Sequence, residues 1–264
     1  MTSSSATQAT PWSTLISKVP EITLFFWIIK ILCTTIGETA ADWINTNLRL
    51  GLVGTSVLMI ALTVFALIAQ FRAKRYIPTL YWLVVVFISV VGTLITDNMV
   101  DTFNISLWTS TAIFSVLLIA TFTLWYFSEK TLSIHSIFTV RREAFYWLAV
   151  LFTFALGTAA GDLVAEGLDI GYWKSALMFA ALIALVTVAH FAARFDTIAT
   201  FWIAYVLTRP LGASIGDYLS QDPDVGGLGL GTVTTSLIFL AAIVGVVIYL
   251  TVSRKDQIRL PETA

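Results

Sequence analysis

Charged residues, cysteine and histidine are all scarce in this sequence. Only 12% of its 264 residues are charged while 58% are apolar, whereas soluble domains carry about 25% charge. One cysteine, Cys33, cannot form a disulfide framework, and His135 and His190 are far apart and lack acidic partners at ligand spacing. These shortages exclude an ordinary soluble domain and a disulfide-stapled one.

Signatures of several common chemistries are missing as well. The zinc motif HExxH, the dithiol motif CxxC and a glycine-rich phosphate loop do not occur. The segments between apolar runs are too short for a soluble catalytic domain, and their basic residues suit membrane topology better than nucleic acid. We therefore expect no enzymatic activity, no cofactor and no nucleic-acid partner.

What the sequence has in abundance is long apolar runs. A helix needs about 20 apolar residues to cross roughly 30 Å of hydrocarbon. Eight runs come close to this length, two of them interrupted by charges, and they predict spans at 22–43, 50–71, 76–96, 102–128, 144–161, 175–193, 197–220 and 225–253. The predicted fold is an all-α membrane protein with eight transmembrane helices.

The basic residues predict the orientation of these spans, because positive charge stays on the cytoplasmic side. Eleven of the fifteen lie in the N-terminal segment, the even-numbered loops or the C-terminal tail. We therefore expect cytoplasmic tails at residues 1–19 and 254–264, and no cleaved signal. We also expect a cytoplasmic linker at 129–143, which joins the first four spans (20–128) to the last four (144–253). Aromatic residues including Trp82, Tyr146 and Trp147 suit the membrane surface.

The sequence repeats itself four times. An aromatic pair recurs at 26–27, 81–82, 146–147 and 201–202, and a glycine follows each tryptophan after ten residues and an aspartate after fifteen. The repeated residues are Trp27, Trp82, Trp147 and Trp202; Gly37, Gly92, Gly157 and Gly212; and Asp42, Asp97, Asp162 and Asp217. Each unit contains two spans, so all four tandem units point in the same direction across the membrane.

This pattern resembles a family of bacterial integral membrane proteins that is defined by a tandem two-helix repeat with a conspicuous tryptophan and is described as being of unknown function. The resemblance covers about residues 18–253. It implies a multi-pass protein of the bacterial inner membrane, and it brings no known catalytic or binding residues with it.

The glycines and aspartates suggest two roles. Small residues let helices approach closely in lipid, so we expect helix packing at the four repeated glycines and at Gly161 and Gly216. Carboxylates at membrane depth usually face the bundle interior or a water-filled cavity. Glu38, Asp101 and Glu166 accompany the four aspartates near the predicted outer end, where this acidic cluster predicts a cation-binding or proton-accepting site. Helix-end hydrogen bonds that lock the units together are the alternative.

Two cations, Lys30 and Arg209, fall inside predicted spans of the first and last units. Each costs about 2.5 to 3.5 kcal/mol near a helix centre. We expect each to pair with a carboxylate of another unit if the units close into a ring; the alternative is a fixed strut that satisfies helix ends. Pro210 predicts a kink or break directly after Arg209.

The resulting functional hypothesis is a transporter or channel for a small cation, either a divalent metal or a proton. The predicted metal ligands are Glu38, Asp42, Asp97, Asp162 and Asp217, since hard cations take oxygen ligands. A non-transporting scaffold or sensor is the main alternative, and an intramembrane enzyme ranks third. The expected partners are the lipid bilayer and the cation, and a homo-oligomer is an open alternative.

Overall fold

The computed structural model describes residues 17–47 and 50–256, and within them every regular element is helical. Eight long helices follow one another: α1 (Leu24–Asn47), α2 (Gly51–Arg72), α3 (Pro78–Asp97), α4 (Leu107–Glu129), α5 (Val140–Asp162), α6 (Tyr172–Ala193), α7 (Thr197–Ser220) and α8 (Gly231–Ser253). All eight are long and apolar enough to cross a membrane. The predicted fold class is thereby confirmed.

Local sequence signals define several helix ends. The side chains of Ser106, Thr139 and Asp196 accept hydrogen bonds from backbone N–H groups in the first turns of α4, α5 and α7, as capping residues do. Short π-helical turns extend two of the odd helices, at Asn98–Thr102 and Leu163–Gly167. The loop between α4 and α5 covers only 130–139, because α5 begins inside the expected linker.

The odd-numbered helices form a closed inner ring in which α1 packs against α3, α3 against α5, α5 against α7 and α7 against α1. The even-numbered helices lie outside this ring. Each packs against the odd helix of the next unit: α2 on α3, α4 on α5, α6 on α7 and α8 on α1. The first and last units are therefore neighbours. The two halves of the chain, 20–128 and 144–253, meet at two places in the ring, where α3 packs against α5 and α7 against α1.

The inner and outer helices differ sharply in burial. Within the odd spans, 61% to 67% of the residues are buried, compared with 6% to 22% in the even spans. The even helices leave most of their apolar side chains on the outside, where lipid can cover them. The repeated sequence features thus belong to the protected inner ring.

The expected surface position of three aromatic residues is wrong, and of the kink or break expected after Arg209, the break is absent. Tyr146, Trp82 and Trp147 are buried inside the bundle, because neighbouring units cover them, so they do not lie on its surface. Helix α7 runs without a break through Pro210, which packs against Gly157 and Gly161 of α5.

One end of the bundle holds the first and last described segments, and we call it the termini end. There the Lys18 ammonium contacts the Glu143 carboxylate at 2.7 Å, and the Tyr76 hydroxyl donates to Asp256 Oδ2 at 2.5 Å. The backbone N–H of Glu21 donates to the Asp256 carbonyl at 2.9 Å. The odd helices begin at this end, and their aspartates lie at the opposite end, called the acid end below.

Candidate functional site

A stripe of residues spaced by four follows the buried side of each odd helix, and equivalent residues of the four units share a level. Neighbouring levels are roughly 6 Å apart at the 1.5 Å rise of a helix. From the termini end, the five layers are Phe26, Tyr81, Tyr146 and Phe201; Lys30, Val85, Val150 and Tyr205; Thr34, Ser89, Phe154 and Arg209; Glu38, Thr93, Thr158 and Ala213; and Asp42, Asp97, Asp162 and Asp217. Side chains of the first four layers are buried.

The aromatic pairs interlock around the ring by one rule. The first aromatic residue of each unit contacts the tryptophan of the next, with ring centroids 5.4 to 6.2 Å apart. The four contacts are Phe26 with Trp82, Tyr81 with Trp147, Tyr146 with Trp202, and Phe201 with Trp27. The repeated pair is therefore a device for joining one unit to its neighbour.

The repeated glycines obey the same rule about three helical turns further along the axis. Each lies against the third-layer residue of the next unit: Gly37 against Ser89, Gly92 against Phe154, Gly157 against Arg209, and Gly212 against Thr34. A Cβ atom at Gly92 would lie 2.7 Å from Phe154 Cβ and 3.1 Å from the Ala155 nitrogen. Gly216 similarly faces the carbonyl oxygen of Thr35, 3.2 Å from where a Cβ would sit.

Arg209 extends from α7 into the middle of the ring, where its side chain is fully buried. Its Nη2 donates to Glu38 Oε2 at 2.8 Å, to Thr158 Oγ1 at 2.6 Å and to Thr93 Oγ1. These three acceptors are the fourth-layer residues of the other three units. The fourth unit contributes the small Ala213 to this layer and so leaves room for the guanidinium.

A second nitrogen of the same group adds a fourth acceptor, while Nε is buried without a hydrogen-bond partner among the described residues. Arg209 Nη1 donates to the backbone carbonyl of Thr34 at 3.1 Å. The guanidinium is thus surrounded by carboxylate, hydroxyl and carbonyl oxygens from α1, α3 and α5. Chemically, this is an oxygen-lined cation site on the axis that is filled by a cation tethered to the chain. The expected pairing of Arg209 with a carboxylate of another unit is present.

Lys30 does not follow that expectation. Its ammonium lies 4.3 Å from the Phe154 ring centre and 4.1 Å from that of Tyr205, and Nζ is 3.4 Å from Thr208 Oγ1. No carboxylate pairs with it among residues 17–47 and 50–256. The reason is geometric, since the Arg209 layer lies between Lys30 and the carboxylates of all four units, and two aromatic faces hold the ammonium instead.

The four repeated aspartates converge at the acid end. Asp97, Asp162 and Asp217 each interact electrostatically with Asp42 and with Glu38. Asp217 is buried, while Asp42, Asp97 and Asp162 are partly buried. Asp101 and Glu166 are exposed at the rim, and Glu166 accepts a hydrogen bond from Tyr172 at 2.9 Å.

The predicted metal ligands do not form one compact group in the part of the chain that the structure describes. Within the ranges that the structure covers, no three histidine, cysteine, aspartate or glutamate side chains are close enough together to hold one metal ion. The aspartates come from four separate helices around the axis, which keeps them apart.

Sequence reasoning overlooked three buried residues of these layers, namely Thr34, Phe154 and Tyr205. A signal for them was present, because a spacing of four residues links each aromatic pair to its aspartate.

The segment 212–216, GASIG, has the GxSxG spacing of hydrolase nucleophiles. It lies inside the continuous helix α7, whereas that nucleophile requires a sharp strand-to-helix turn.

These features define an all-helical, multi-pass membrane protein built as a closed ring of four two-helix units. The chain belongs to the family described as Repeat of Unknown Function (DUF347), which matches residues 25–76, 80–131, 145–195 and 200–256. These four matches coincide with the four structural units. Comparison with curated proteins gave no match, and comparison with solved structures gave none.

Proposed function

We propose that this protein is a membrane carrier for a small cation, with the proton as the favoured species, in which the acid layer collects the cation. The observation that carries this proposal is the oxygen-lined axial site beneath the aspartates, filled by Arg209. In the orientation predicted from the basic residues, the acid end faces the outside of the cell and the termini end faces the cytoplasm.

The acid layer supplies the first part of a cation pathway. The repeated aspartates interact electrostatically across the axis, so they gain by binding a cation or by taking up protons. Because the aspartates are spread around the axis without a three-ligand group, this conformation favours protonation over chelation of a divalent metal.

Arg209 supplies the element that closes the pathway. Its guanidinium holds Glu38, Thr93 and Thr158 together, and a buried Arg–Glu pair is weakened when one partner loses its charge, because the other charge is then uncompensated. A proton that reaches Glu38 removes the counter-charge of Arg209 and loosens this contact. The filled axis therefore favours a carrier with a gated pathway over a permanently open pore.

Purified protein in liposomes provides the test. Uptake is measured for a panel of monovalent and divalent cations and under a pH gradient, for the wild type and for Asp97→Asn and Asp162→Asn. Asp169→Asn, which alters an exposed loop acid, is the matched control. The proposal expects uptake that both axial variants abolish and the control preserves. Absence of flux for every cation would overturn it.

A scaffold or sensor without transport is the second candidate, and the Arg209 network is the observation that favours it. One side chain that bonds to three other helices is also an effective lock. Asp97→Asn and Asp162→Asn distinguish the two functions, because transport predicts a folded but inactive protein. If these variants lose the folded protein instead, the acids serve to hold the bundle together.

A further inference from the structure

A groove runs between α4 and α7 at the termini end of the bundle. Its volume is about 660 Å³, within the range of about 300 to 1,000 Å³ that is typical of ligand sites. Phe122 and Tyr126 of α4 form one wall, and Trp202, Ile203 and Val206 of α7 form the other. Tyr126 and Ile203 are exposed, so the groove opens on the outer face of the bundle, where lipid can reach it.

The groove is elongated along the helices. Its lining extends from Ile198 to Leu207 on α7 and from Phe122 on α4 to Lys130 at the end of that helix, which is about 12 to 14 Å at the helical rise. The hydrocarbon of one membrane leaflet is about 15 Å deep, half of the roughly 30 Å of a bilayer. A fatty acyl chain parallel to the helices therefore matches the groove in length and in polarity.

The equivalent place one unit earlier is occupied by the chain itself. A shift of 55 residues relates Tyr126 and Ile198 of the groove to Phe71 and Glu143 at the junction of α2 and α5. There the Lys18 ammonium contacts the Phe71 carbonyl oxygen at 3.0 Å and the Glu143 carboxylate at 2.7 Å. Isoleucine replaces this glutamate in the groove, so the groove cannot hold an ammonium in the same way. An apolar occupant fits it instead.

Two opposite charges flank the mouth of the groove at the termini end. Lys130 follows α4, Asp196 precedes α7, and both line the groove. Both residues are exposed, and neither forms an ion pair within the part of the chain that the structure describes. Asp196 Oδ1 accepts a hydrogen bond from the backbone N–H of Ala199 at 2.8 Å, which holds the carboxylate at the mouth. The mouth therefore suits a headgroup that carries both charges.

We propose that this groove binds one phospholipid with a phosphoethanolamine headgroup. One acyl chain lies between α4 and α7, the Lys130 ammonium contacts the phosphate, and the Asp196 carboxylate accepts hydrogen bonds from the primary amine. Such charge-assisted hydrogen bonds are stronger than neutral ones. A choline headgroup has no N–H to donate, and a glycerol headgroup has no positive charge, so both bind more weakly. Binding at this outer site does not depend on transport along the axis.

Native mass spectrometry of the purified protein in detergent tests the site. Dioleoyl phospholipids with ethanolamine, choline or glycerol headgroups are titrated separately, and the apparent dissociation constant of the first bound lipid is measured. The wild type should bind the ethanolamine lipid about fivefold more tightly than either of the others, which is the upper range for one exposed ion pair.

Three variants examine the parts of the site. Asp196→Asn should make the ethanolamine and choline lipids bind alike without destabilising α7, because asparagine also caps helices. Lys130→Gln should weaken the binding of all three lipids, and Ile203→Trp should do so by filling the groove. The matched controls, which alter exposed positions outside the groove and should match the wild type, are Asp169→Asn, Lys174→Gln and Ile238→Trp.

Several outcomes would overturn the lipid site. Equal dissociation constants of the three lipids for the wild type would exclude headgroup recognition. Tighter binding of the choline lipid would indicate an aromatic site for its quaternary ammonium, and tighter binding of the glycerol lipid would indicate a purely cationic one. A preference for ethanolamine that persists in Asp196→Asn would exclude the proposed role of that carboxylate. If Ile203→Trp does not fold, Asp196→Asn decides alone.

Discussion

Units 1 and 4 of the ring differ from units 2 and 3 in the middle of the axis. All four units share the aromatic interlock, the glycine contact and the terminal aspartate. Only units 1 and 4 contribute charge to the second, third and fourth layers, through Lys30, Glu38 and Arg209. Units 2 and 3 contribute valine, serine, phenylalanine and threonine there, and π-helical turns beyond their aspartates.

This difference separates the scaffold from the chemistry. Residues that join one unit to the next must recur four times, because a closed ring has four equivalent junctions. Residues that meet on the axis share one space, and four copies of an arginine there would repel one another. One guanidinium surrounded by three acceptors and one alanine satisfies the same geometry. The ring is therefore fourfold in packing and asymmetric in charge.

The largest expected effect comes from removing the charge of unit 4. Arg209→Met leaves the Glu38 carboxylate buried without its partner, and breaking a buried ion pair in this way costs about 3 to 5 kcal/mol. Thermal unfolding in detergent measures the loss. The double variant Arg209→Met with Glu38→Gln should recover part of it, because no charge is then stranded. Equal stability of the single and double variants would contradict the pairing.

A smaller effect is expected from disturbing the shared scaffold in a neutral unit. Gly92→Ala places a Cβ 2.7 Å from Phe154 Cβ and close to the backbone of α5, and such overpacking costs about 1 to 3 kcal/mol. Gly245→Ala is the control, since a Cβ there meets open space and alanine favours the helix by about 1 kcal/mol. The ring packing is contradicted if both variants are equally stable.

Effects no larger than the upper limit for Gly92→Ala should come from the neutral partners of Arg209. Thr93→Val and Thr158→Val each remove an acceptor of Arg209 Nη2, and a hydrogen bond to a charged group is worth about 1.5 to 3 kcal/mol before the protein adjusts. Thr93→Val should cost at least as much as Thr158→Val, because the Thr93 hydroxyl also donates to Glu38 Oε2 at 3.4 Å. Thr187→Val, whose hydroxyl bonds only within α6, should leave the melting temperature unchanged. If only one of the two variants loses stability, only that threonine holds Arg209, and the shared site is contradicted.

Much of the fold could be predicted from the sequence because its signals are local or periodic. Apolar run length defines the spans, and the recurrence of tryptophan, glycine and aspartate defines the units. The order of units around the ring and the packing of each even helix on the next unit depend on contacts between distant residues. Gly92 illustrates this, since its spacing indicates close packing but its partner, Phe154, lies 62 residues further along.

The candidate site was only partly predictable for a related reason. The acids stand out in an apolar sequence, and Arg209 and Lys30 stand out because charge is costly in a membrane. Their partners do not stand out, because Thr34, Thr93 and Thr158 are ordinary residues of a membrane helix. Lys30 differs most from its expectation: two aromatic rings replace the carboxylate, and aromatic residues are too common here to identify as a binding site.

Chemical rescue of Arg209→Ala tests the central claim most directly, that Arg209 is a tethered cation filling an oxygen-lined axial site. Free methylguanidinium at low concentration should raise the melting temperature of this variant, because a ligand that binds only the folded state stabilises it. The same concentration of tetramethylammonium should not, and neither ion should affect the wild type, whose site is filled. The claim is contradicted if both ions raise the melting temperature of the variant equally. It is also contradicted if methylguanidinium raises the melting temperatures of the variant and the wild type equally.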